Sequence, residues 1–394
     1  MAKAGYNYVN IDDCWQVSRD VNTGVILADP IRFPSGMKAL SDFVHSKGLK
    51  LGIYTDAGTA TCEGRPGSLH FEDIDARTYA EWGIDYVKVD WCHTELFQSA
   101  EKSYGRFRDA FNSTGRPMVL SICCWGLQQP WVWGKRTGNL WRTTQDITAT
   151  WQSVMSILDQ QIGLSEFAGP GSWNDPDMLE VGNEPLTLTE SKSHFALWCI
   201  LAAPLIAGND VRTMPKEVVD ILTAEELIAV NQDALGLQGE LISRIGQAEV
   251  WARPVMGGAV AAVLLNRGDK DVQIELDFGL VGLPSDQEIN VRDLWLRKDT
   301  GVMKGRYSTT VAPHDVSVLK LTPTNCKDEL SCDDPPDKAF IASAQMSIWM
   351  RDSTKLWALS IGALIMTVMA YLAHSAHQPM VSRAISTSTR ITTE

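Results

Sequence analysis

The fold of this chain is indicated by one seven-residue stretch, Tyr86-Val87-Lys88-Val89-Asp90-Trp91-Cys92. The stretch has the apolar character of a short β-strand, yet it carries a lysine and an aspartate two residues apart. Because the side chains of a strand alternate between its two faces, Lys88 and Asp90 point the same way. Burying either charge is costly unless it is paired or used in chemistry. The two residues therefore form either an ion pair at a strand end or a nucleophilic site, in which the lysine lowers the pKa of Asp90 and keeps it ionised.

Seven segments with strand character lie before Gly239, where the alternation of strands and helices ends. They are Tyr8–Ile11, Leu51–Tyr54, Tyr86–Asp90, Met118–Ile122, Leu140–Thr143, a short strand at Ser172–Asp175, and Leu205–Ala207. Helical patterns lie at Met37–Lys47, Ile74–Trp82, Ser103–Phe111, Ala149–Ile162, Ser191–Leu201, Lys216–Leu222 and Glu225–Val230. The first two helices stop at Gly48 and Gly83, as expected of glycine at a helix C-terminus. Strands that alternate with helices predict a parallel sheet.

Polar and acidic residues gather at the C-terminal ends of these strands. This distribution is typical of an α/β fold of the (β/α)8 TIM-barrel type, whose active site is built from the loops on that side. A doubly wound sheet would need a glycine-rich phosphate-binding turn near its first strand, and the sequence has none there. Because one strand is missing from eight and the chain begins almost directly with a strand, we expect the first barrel strand to lie before Met1.

From Gly239 onward the sequence predicts a second domain without helical periodicity. Its expected strands are Glu249–Arg253, Ala259–Asn266, Val272–Leu276, Glu288–Asp293 and Val316–Leu321. We therefore predict a catalytic barrel at residues 1–238 and an antiparallel β-sandwich at residues 239–324. Residues 325–355 have the acidic composition of a linker, and 374–394 form a polar tail. The uncharged segment 356–373 predicts a single membrane anchor or, alternatively, an altered C-terminus that enters no membrane.

Composition restricts the class of partner. The net charge is −13 without a basic patch, so nucleic acid is not an expected partner. The eight cysteines include no C-x-x-C pair, and we expect no metal and no cofactor. The sequon Asn112-Ser113-Thr114 predicts glycosylation in the secretory pathway, with an extracellular, vacuolar or lysosomal destination, although no signal segment follows Met1. The oligomeric state is left open.

The predicted strand ends bring many charges to one mouth of the barrel. They are Asp12, Asp13, Asp56, Lys88, Asp90, Arg142, Asp146 and Asp177. So many carboxylates would repel one another unless cations and a ligand compensate them. Without a phosphate loop, the ligand is expected to be neutral and rich in hydroxyls, as a small carbohydrate is. Two carboxylates in different environments suffice to cleave a glycosidic bond, with Asp90 ionised and the pKa of Asp146 raised by Asp90 so that it serves as the general acid.

Five motifs resemble those of glycoside hydrolase family 27, the α-galactosidase (melibiase) family, and especially its plant and protist members. They are Tyr8-Val9-Asn10-Ile11-Asp12-Asp13-Cys14-Trp15, Leu51-Gly52-Ile53-Tyr54, Tyr86-Val87-Lys88-Val89-Asp90, Trp141-Arg142-Thr143-Thr144-Gln145-Asp146-Ile147 and Ser172-Trp173-Asn174-Asp175-Pro176-Asp177-Met178. The resemblance extends over residues 2–322, with the motifs in the same order throughout. It implies a two-step retaining hydrolysis of terminal α-D-galactosides.

The same resemblance implies a role for each site residue. Asp90 is the nucleophile and Asp146 the acid/base residue. Asp12, Asp13 and Lys88 hold the O3, O4 and O6 side of the sugar, and Tyr54, Arg142 and Asp177 complete the pocket. Cys62 and Cys92 match a family disulfide beside Asp90.

One position departs from the family pattern. Cys124 stands where α-galactosidases usually carry a glutamate that approaches the 2-substituent of the sugar, whereas Leu127 looks α-galactosidase-like. The alternatives within the family are an α-N-acetylgalactosaminidase and a β-L-arabinopyranosidase. The missing first strand of the barrel adds a third alternative, an inactive, membrane-tethered sugar-binding homologue.

Overall fold

The structure is a computed structural model that describes residues 1–324. Eight strands lie in its N-terminal part: β1 (Tyr8–Asn10), β2 (Gln16–Arg19), β3 (Ile26–Ala28), β4 (Lys50–Asp56), β5 (Tyr86–Asp90), β6 (Val119–Ile122), β7 (Leu140–Arg142) and β8 (Trp173–Asp175). Eight α-helices follow or separate them: α1 (Gly36–Ser46), α2 (Glu72–Trp82), α3 (Ala100–Ser113), α4 (Pro130–Trp133), α5 (Trp151–Asp159), α6 (Leu188–Ile200), α7 (Lys216–Leu222) and α8 (Glu225–Asn231).

Six of these strands form one parallel sheet in the order β1-β4-β5-β6-β7-β8. β4 is buried from Leu51 to Asp56, as expected of a central parallel strand covered on both faces. Within the described residues, β1 and β8 do not pair with each other, so the sheet has two edges. The predicted parallel, barrel-type sheet with helices between its strands is confirmed.

One local prediction in this half was wrong, and one hairpin was missed. Leu205–Ala207 is not a strand, because only Ala207 makes a parallel bridge, with Leu179. The antiparallel hairpin of β2 and β3 was not predicted. The hairpin lies between β1 and α1. In β2, Gln16–Arg19, exposed and buried side chains do not alternate regularly, so the sequence carries no strand pattern there.

Antiparallel strands form the second part of the described chain. They are β9 (Glu240–Ile245), β10 (Ala248–Val255), β11 (Ala259–Asn266), β12 (Val272–Asp277), β13 (Ile289–Asp293), β14 (Lys298–Met303), β15 (Arg306–Val311) and β16 (Val316–Pro323). The first sheet has the order β14-β13-β16-β11-β10-β9, and the second consists of β12 and β15. Side chains of the two sheets share one core, in which Ile274 and Leu276 of β12 meet Val260 and Leu264 of β11. This is the predicted β-sandwich, with β9, β14 and β15 in addition to the predicted strands.

A second core joins the sandwich to the helices of the parallel sheet. Trp198 of α6 belongs to the same buried cluster as Ala261 and Val263 of β11. The helices that follow β8 and the sandwich therefore share one apolar core. The predicted linker (325–355), membrane anchor (356–373) and polar tail (374–394) lie outside the described residues. Among residues 1–324, no helix is long and apolar enough to cross a bilayer.

Candidate active site

The carboxyl ends of the parallel strands bring the predicted site residues to one rim. Asp56 ends β4 and lies in register with Asp90, the last residue of β5. Arg142 ends β7 and lies in register with Asp175, the last residue of β8. Parallel strands place their carboxyl ends at the same edge of a sheet, and this edge is where barrel enzymes carry their catalytic groups.

Asp90 is buried and firmly oriented, with 6% of its surface exposed. The hydroxyl of Tyr54 donates to Oδ2 at 2.9 Å, and the backbone N–H of Trp91 donates to Oδ1 at 2.9 Å. Burial raises the pKa of Asp90, while Lys88 and these hydrogen bonds oppose the rise. Lys88 lowers the pKa of Asp90, as the sequence predicts, but desolvation at this depth outweighs the attraction of one cation, so the net shift is upward.

Lys88 forms its ion pair with Asp12 rather than with Asp90. Its Nζ lies 2.8 Å from Oδ2 of Asp12 and 5.3 Å from the centroid of the Tyr54 ring. Burial alone would lower the pKa of Lys88, but its acidic neighbours reverse this effect and raise the pKa. Lys88 therefore remains a cation between Asp12 and the nucleophile candidate.

Arg142 organises the opposite side of the rim. Its buried guanidinium contacts Oδ1 of Asp146 and Oδ2 of Asp177, each at 2.9 Å. Asp177 is itself held by the N–H of Ile147, and its carbonyl accepts from the indole of Trp198. Asp146 differs sharply from Asp90, because 76% of its side chain is exposed. The role of Asp146 as the general acid stays a prediction.

Cys62 and Cys92 form the expected disulfide, with Cα atoms 5.1 Å apart. Sγ of Cys62 lies 3.5 Å from Oδ2 of Asp90, so the disulfide is in contact with the carboxyl. The same loop reaches Asp13, whose Oδ2 accepts from the N–H of Glu63 at 3.1 Å. The disulfide thus ties the loop after β4 to the end of β5 beside the nucleophile candidate.

Cys124 does not present a polar group to the mouth. Its side chain is fully buried, and its thiol donates to the carbonyl of Leu127 at 3.3 Å. Burial raises the pKa of Cys124 to about 12, so the thiol is neutral. Leu127, by contrast, is 47% exposed. The position that carries a charge in the family pattern is uncharged in this chain.

Two buried groups of the rim were not predicted as site residues. The Cys123 thiol, 1% exposed, lies 3.8 Å from Nη1 of Arg142 and beside the carboxyl of Asp90, where it opposes the rise in its pKa. Asp175 is buried next to Arg142, and burial raises its pKa to about 6. The sequence signal for both was the one used for Asp90, a polar residue at or directly after the end of a strand.

The remaining acid of the rim, Asp56, explains how so many carboxylates coexist. Burial raises the pKa of Asp56 to about 8, and its oxygens accept from the N–H groups of Gly58 and Cys92. It is therefore largely neutral at pH 7, while Lys88 and Arg142 compensate the other acids. A Cβ at Gly58 would lie 2.0 Å from the carbonyl oxygen of Cys92, so only glycine allows this close packing.

Among the described residues, one group of potential metal ligands lies at the rim: Asp56, Cys62, Asp90 and Cys92, whose ligand atoms are within 4.8 Å of one another. Because the two sulfurs are joined in a disulfide, they cannot act as thiolate ligands. The group is therefore a poor match for a metal centre. Asn112 lies apart from the rim, exposed in the last turn of α3, and its glycosylation stays a prediction.

Comparison with known families gives two matches along the chain. The family described as Alpha galactosidase A matches residues 1–233. The family described as Alpha galactosidase C-terminal beta sandwich domain matches residues 245–321. Together they cover both parts of the described structure.

Individual proteins are similar over most of their length. A Dictyostelium discoideum protein named "Probable alpha-galactosidase" is 48% identical over 329 residues, which is 82% of this chain and 85% of that protein. The solved structure of alpha-galactosidase I from Mortierella vinacea has a TM-score of 0.79 at 36% identity, over 81% of this chain and 88% of that one. The Saccharomyces cerevisiae alpha-galactosidase solved with raffinose has a TM-score of 0.78 at 27% identity, over 82% and 90%.

Proposed function

The chain belongs to the alpha-galactosidase A family, and from this premise we propose that it is a retaining exo-glycosidase acting on terminal α-D-galactosyl residues. Its substrates are oligosaccharides, galactolipids or polysaccharides that end in such a residue. The observation that carries the proposal is the contrast between two carboxylates: Asp90 is buried and fixed by two donors, whereas Asp146 is exposed and held by Arg142. A retaining glycosidase needs one carboxylate as nucleophile and another that exchanges protons with the leaving group and water.

In the first step, Oδ2 or Oδ1 of Asp90 attacks the anomeric carbon, and the bond from that carbon to the aglycone oxygen breaks. Asp146 gives its proton to the departing oxygen, and a galactosyl ester of Asp90 forms. In the second step, Asp146 takes a proton from water while the water oxygen attacks the anomeric carbon. Galactose leaves with retained configuration and Asp90 returns to the carboxylate form.

The other charges of the rim are proposed to bind the sugar. Lys88 with Asp12, and Asp13 beside them, supply donors and acceptors for O3, O4 and O6 of galactose. Their side chains are oriented before any ligand arrives, by the ion pair and by the N–H of Glu63. Tyr54, Arg142 and Asp177 complete the pocket. Preorganised polar groups of this kind stabilise the charge of a transition state better than bulk water does.

The alternative activities differ in the group at the 2-position of the sugar, and Cys124 occupies the position that approaches this group in the family pattern. Because its thiol is buried and neutral, it offers no charge that would select a 2-hydroxyl over a 2-acetamido group. The exposed side chain of Leu127 is proposed to border the 2-position of the sugar and to disfavour an acetamido group there, which supports galactose.

Aryl glycosides separate the candidate functions. We expect the purified protein to hydrolyse aryl α-D-galactoside with a higher kcat/KM than aryl α-N-acetylgalactosaminide or aryl β-L-arabinopyranoside. A reversed order would assign one of the two alternative activities. Galactose binding without turnover of any of the three would assign a sugar-binding protein and overturn the proposal.

We also propose that the protein enters the secretory pathway and carries a glycan on Asn112. The disulfide between Cys62 and Cys92 supports an oxidising compartment. A mass increase removed by a peptide N-glycosidase, and absent in Asn112→Gln, would establish the glycan. An unmodified Asn112 in protein purified from secretory compartments would contradict it.

A further inference from the structure

The carboxyl of Asp56 lies at the junction between β4 and β5, beside the nucleophile candidate. Asp56 ends β4 and is the register partner of Asp90, which ends β5. Its side chain is fully buried, with 0% of the residue exposed. A group buried to this extent does not touch a sugar in the mouth of the barrel, so any effect of Asp56 on the reaction acts through the protein.

The two oxygens of Asp56 hold backbone N–H groups of two different loops. Oδ1 accepts from the N–H of Gly58 at 2.6 Å, in the loop that follows β4. Oδ2 accepts from the N–H of Cys92 at 2.9 Å, in the loop that follows β5. One carboxyl therefore joins the first residues of both loops.

The backbones of these two loops are in direct contact at the same place. The N–H of Ala57 donates to the carbonyl of Asp90 at 2.9 Å. Gly58 lies so close to the carbonyl of Cys92 that there is no room for a Cβ. Asp56 is thus placed at the base of a close contact, where a displacement of one loop moves the other.

A covalent link meets the Asp56 hydrogen bond at Cys92. The disulfide joins Cys92 to Cys62, and Sγ of Cys62 lies 3.5 Å from Oδ2 of Asp90. The two sulfurs and one oxygen of each carboxyl lie within 4.8 Å of one another. Cys92 is therefore fixed from two directions, by the disulfide and by Asp56, and it lies only two residues after the proposed nucleophile.

This bridge needs two acceptor oxygens, and it does not need a negative charge. Burial raises the pKa of Asp56 to about 8, so most of the carboxyl is protonated at pH 7 and does not repel the charge of Asp90. An asparagine would also be neutral and of similar size, but its side chain offers only one acceptor oxygen. The N–H of either Gly58 or Cys92 would then lose its acceptor.

We propose that Asp56 is a positioning residue for the nucleophile. By holding the N–H of Cys92 against the loop after β4, it keeps the end of β5, and with it the carboxyl of Asp90, in the place from which that carboxyl attacks the anomeric carbon. The inference rests on the proposed retaining hydrolysis, in which Asp90 is the nucleophile. A displacement of about 1 Å at a reacting group costs about 100-fold in rate.

Kinetics of Asp56→Asn and Asp56→Ala with an aryl α-D-galactoside test the proposal, together with the dissociation constant of galactose. We expect kcat/KM to fall about tenfold in Asp56→Asn, which keeps one acceptor, and about 100-fold in Asp56→Ala, which keeps none. The dissociation constant of galactose should change less than about threefold, because every group proposed to bind the sugar remains. This split separates a misplaced nucleophile from a generally loosened site.

Asp75→Asn is the matched control, because Asp75 is also fully buried and its carboxyl is bonded by Arg19 and Ser68. Through Ser68 it holds the far end of the loop after β4 and not the end of β5. We expect Asp75→Asn to lower the melting temperature, while kcat/KM keeps the value of the unmodified protein.

Three results would overturn the proposal: unchanged kcat/KM in both Asp56 variants, equal losses of kcat/KM in Asp56→Asn and Asp75→Asn, or a loss in the Asp56 variants that weaker galactose binding accounts for in full. The comparison of the two asparagine variants is decisive on its own where Asp56→Ala does not fold. Absence of turnover in the unmodified protein would overturn the proposed function and this inference with it. Turnover that survives both Asp56 substitutions would overturn the inference alone.

Discussion

Tyr54 and Asp90 are joined by a hydrogen bond of 2.9 Å, in which the phenol donates to the carboxylate oxygen Oδ2. The two residues lie on neighbouring strands, two positions apart in register, since Tyr54 pairs with Lys88 and Asp56 with Asp90. The contact orients the oxygen and stabilises its charge in a buried place.

Tyr54→Phe should move the acid limb of the pH profile of kcat/KM to higher pH. Only ionised Asp90 attacks the sugar, so kcat/KM falls as the pH falls through the pKa of Asp90. Burial already raises this pKa, and the Tyr54 hydrogen bond opposes the rise, so its loss raises the pKa further. At the pH optimum we expect a loss of about 10–100-fold, the effect of one hydrogen bond to a charged group.

Tyr307→Phe is the control for this experiment, because Tyr307 belongs to the sandwich strand β15 and packs against its core. Its pH profile should match that of the unmodified protein. An unmoved acid limb in Tyr54→Phe would show that the phenol does not act on the charge of the nucleophile.

Asp146→Ala should reduce turnover in a way that depends on the leaving group. A dinitrophenyl galactoside needs no proton from the protein to depart, so its first step should be almost unaffected. Release of an alkyl alcohol does need that proton, and we expect a loss of about 100–10,000-fold, typical of general acid catalysis. The values of kcat/KM with the two aglycones measure the difference, because kcat/KM reports the first step and not the hydrolysis of the galactosyl ester. Equal losses for both would assign Asp146 a binding role instead.

Cys123 should tune the nucleophile through its thiol. Burial raises the pKa of Cys123 well above its usual value, so the thiol is protonated beside Asp90, where it opposes the rise in the carboxyl pKa. We expect Cys123→Val to move the acid limb of kcat/KM to higher pH. Cys123→Ser, which retains a donor, should restore most of the original profile.

Cys199→Val is the matched control for Cys123, since Cys199 is also a buried free thiol but lies on α6. A similar shift of the acid limb in Cys199→Val and Cys123→Val would indicate a general packing effect. That result would contradict a specific action of Cys123 on Asp90.

The parallel sheet could be predicted from the sequence because its strands are apolar, short and separated by helices with recognisable ends. Gly83 illustrates this, since it closes α2 in the left-handed conformation with a φ of 81°. The strands β14 and β15 were missed because few of their side chains are buried. Their sequences therefore show little alternation of apolar and polar residues. β14 is exposed over most of its length, and β15 is rich in Ser and Thr.

The site could be predicted as a set of residues, but its electrostatics could not. Lys88 and Asp90 are two residues apart in sequence, which suggested a pair, yet the partner of Lys88 is Asp12, which lies just after β1. The pKa of Asp90 depends on its depth in the fold, which a local pattern does not report. Cys123 joins the site through the pairing of β6 with β5, a relationship between distant segments.

The measurement that tests the central claim most directly is the covalent trapping of the galactosyl intermediate. A fluorinated α-galactosyl fluoride that transfers its sugar rapidly but hydrolyses slowly should inactivate the protein and add one fluorogalactosyl unit. Peptide mass spectrometry should locate that unit on Asp90, and Asp90→Asn should acquire none. A label on another carboxylate, or continued turnover by Asp90→Asn, would contradict the assignment of Asp90 as the nucleophile.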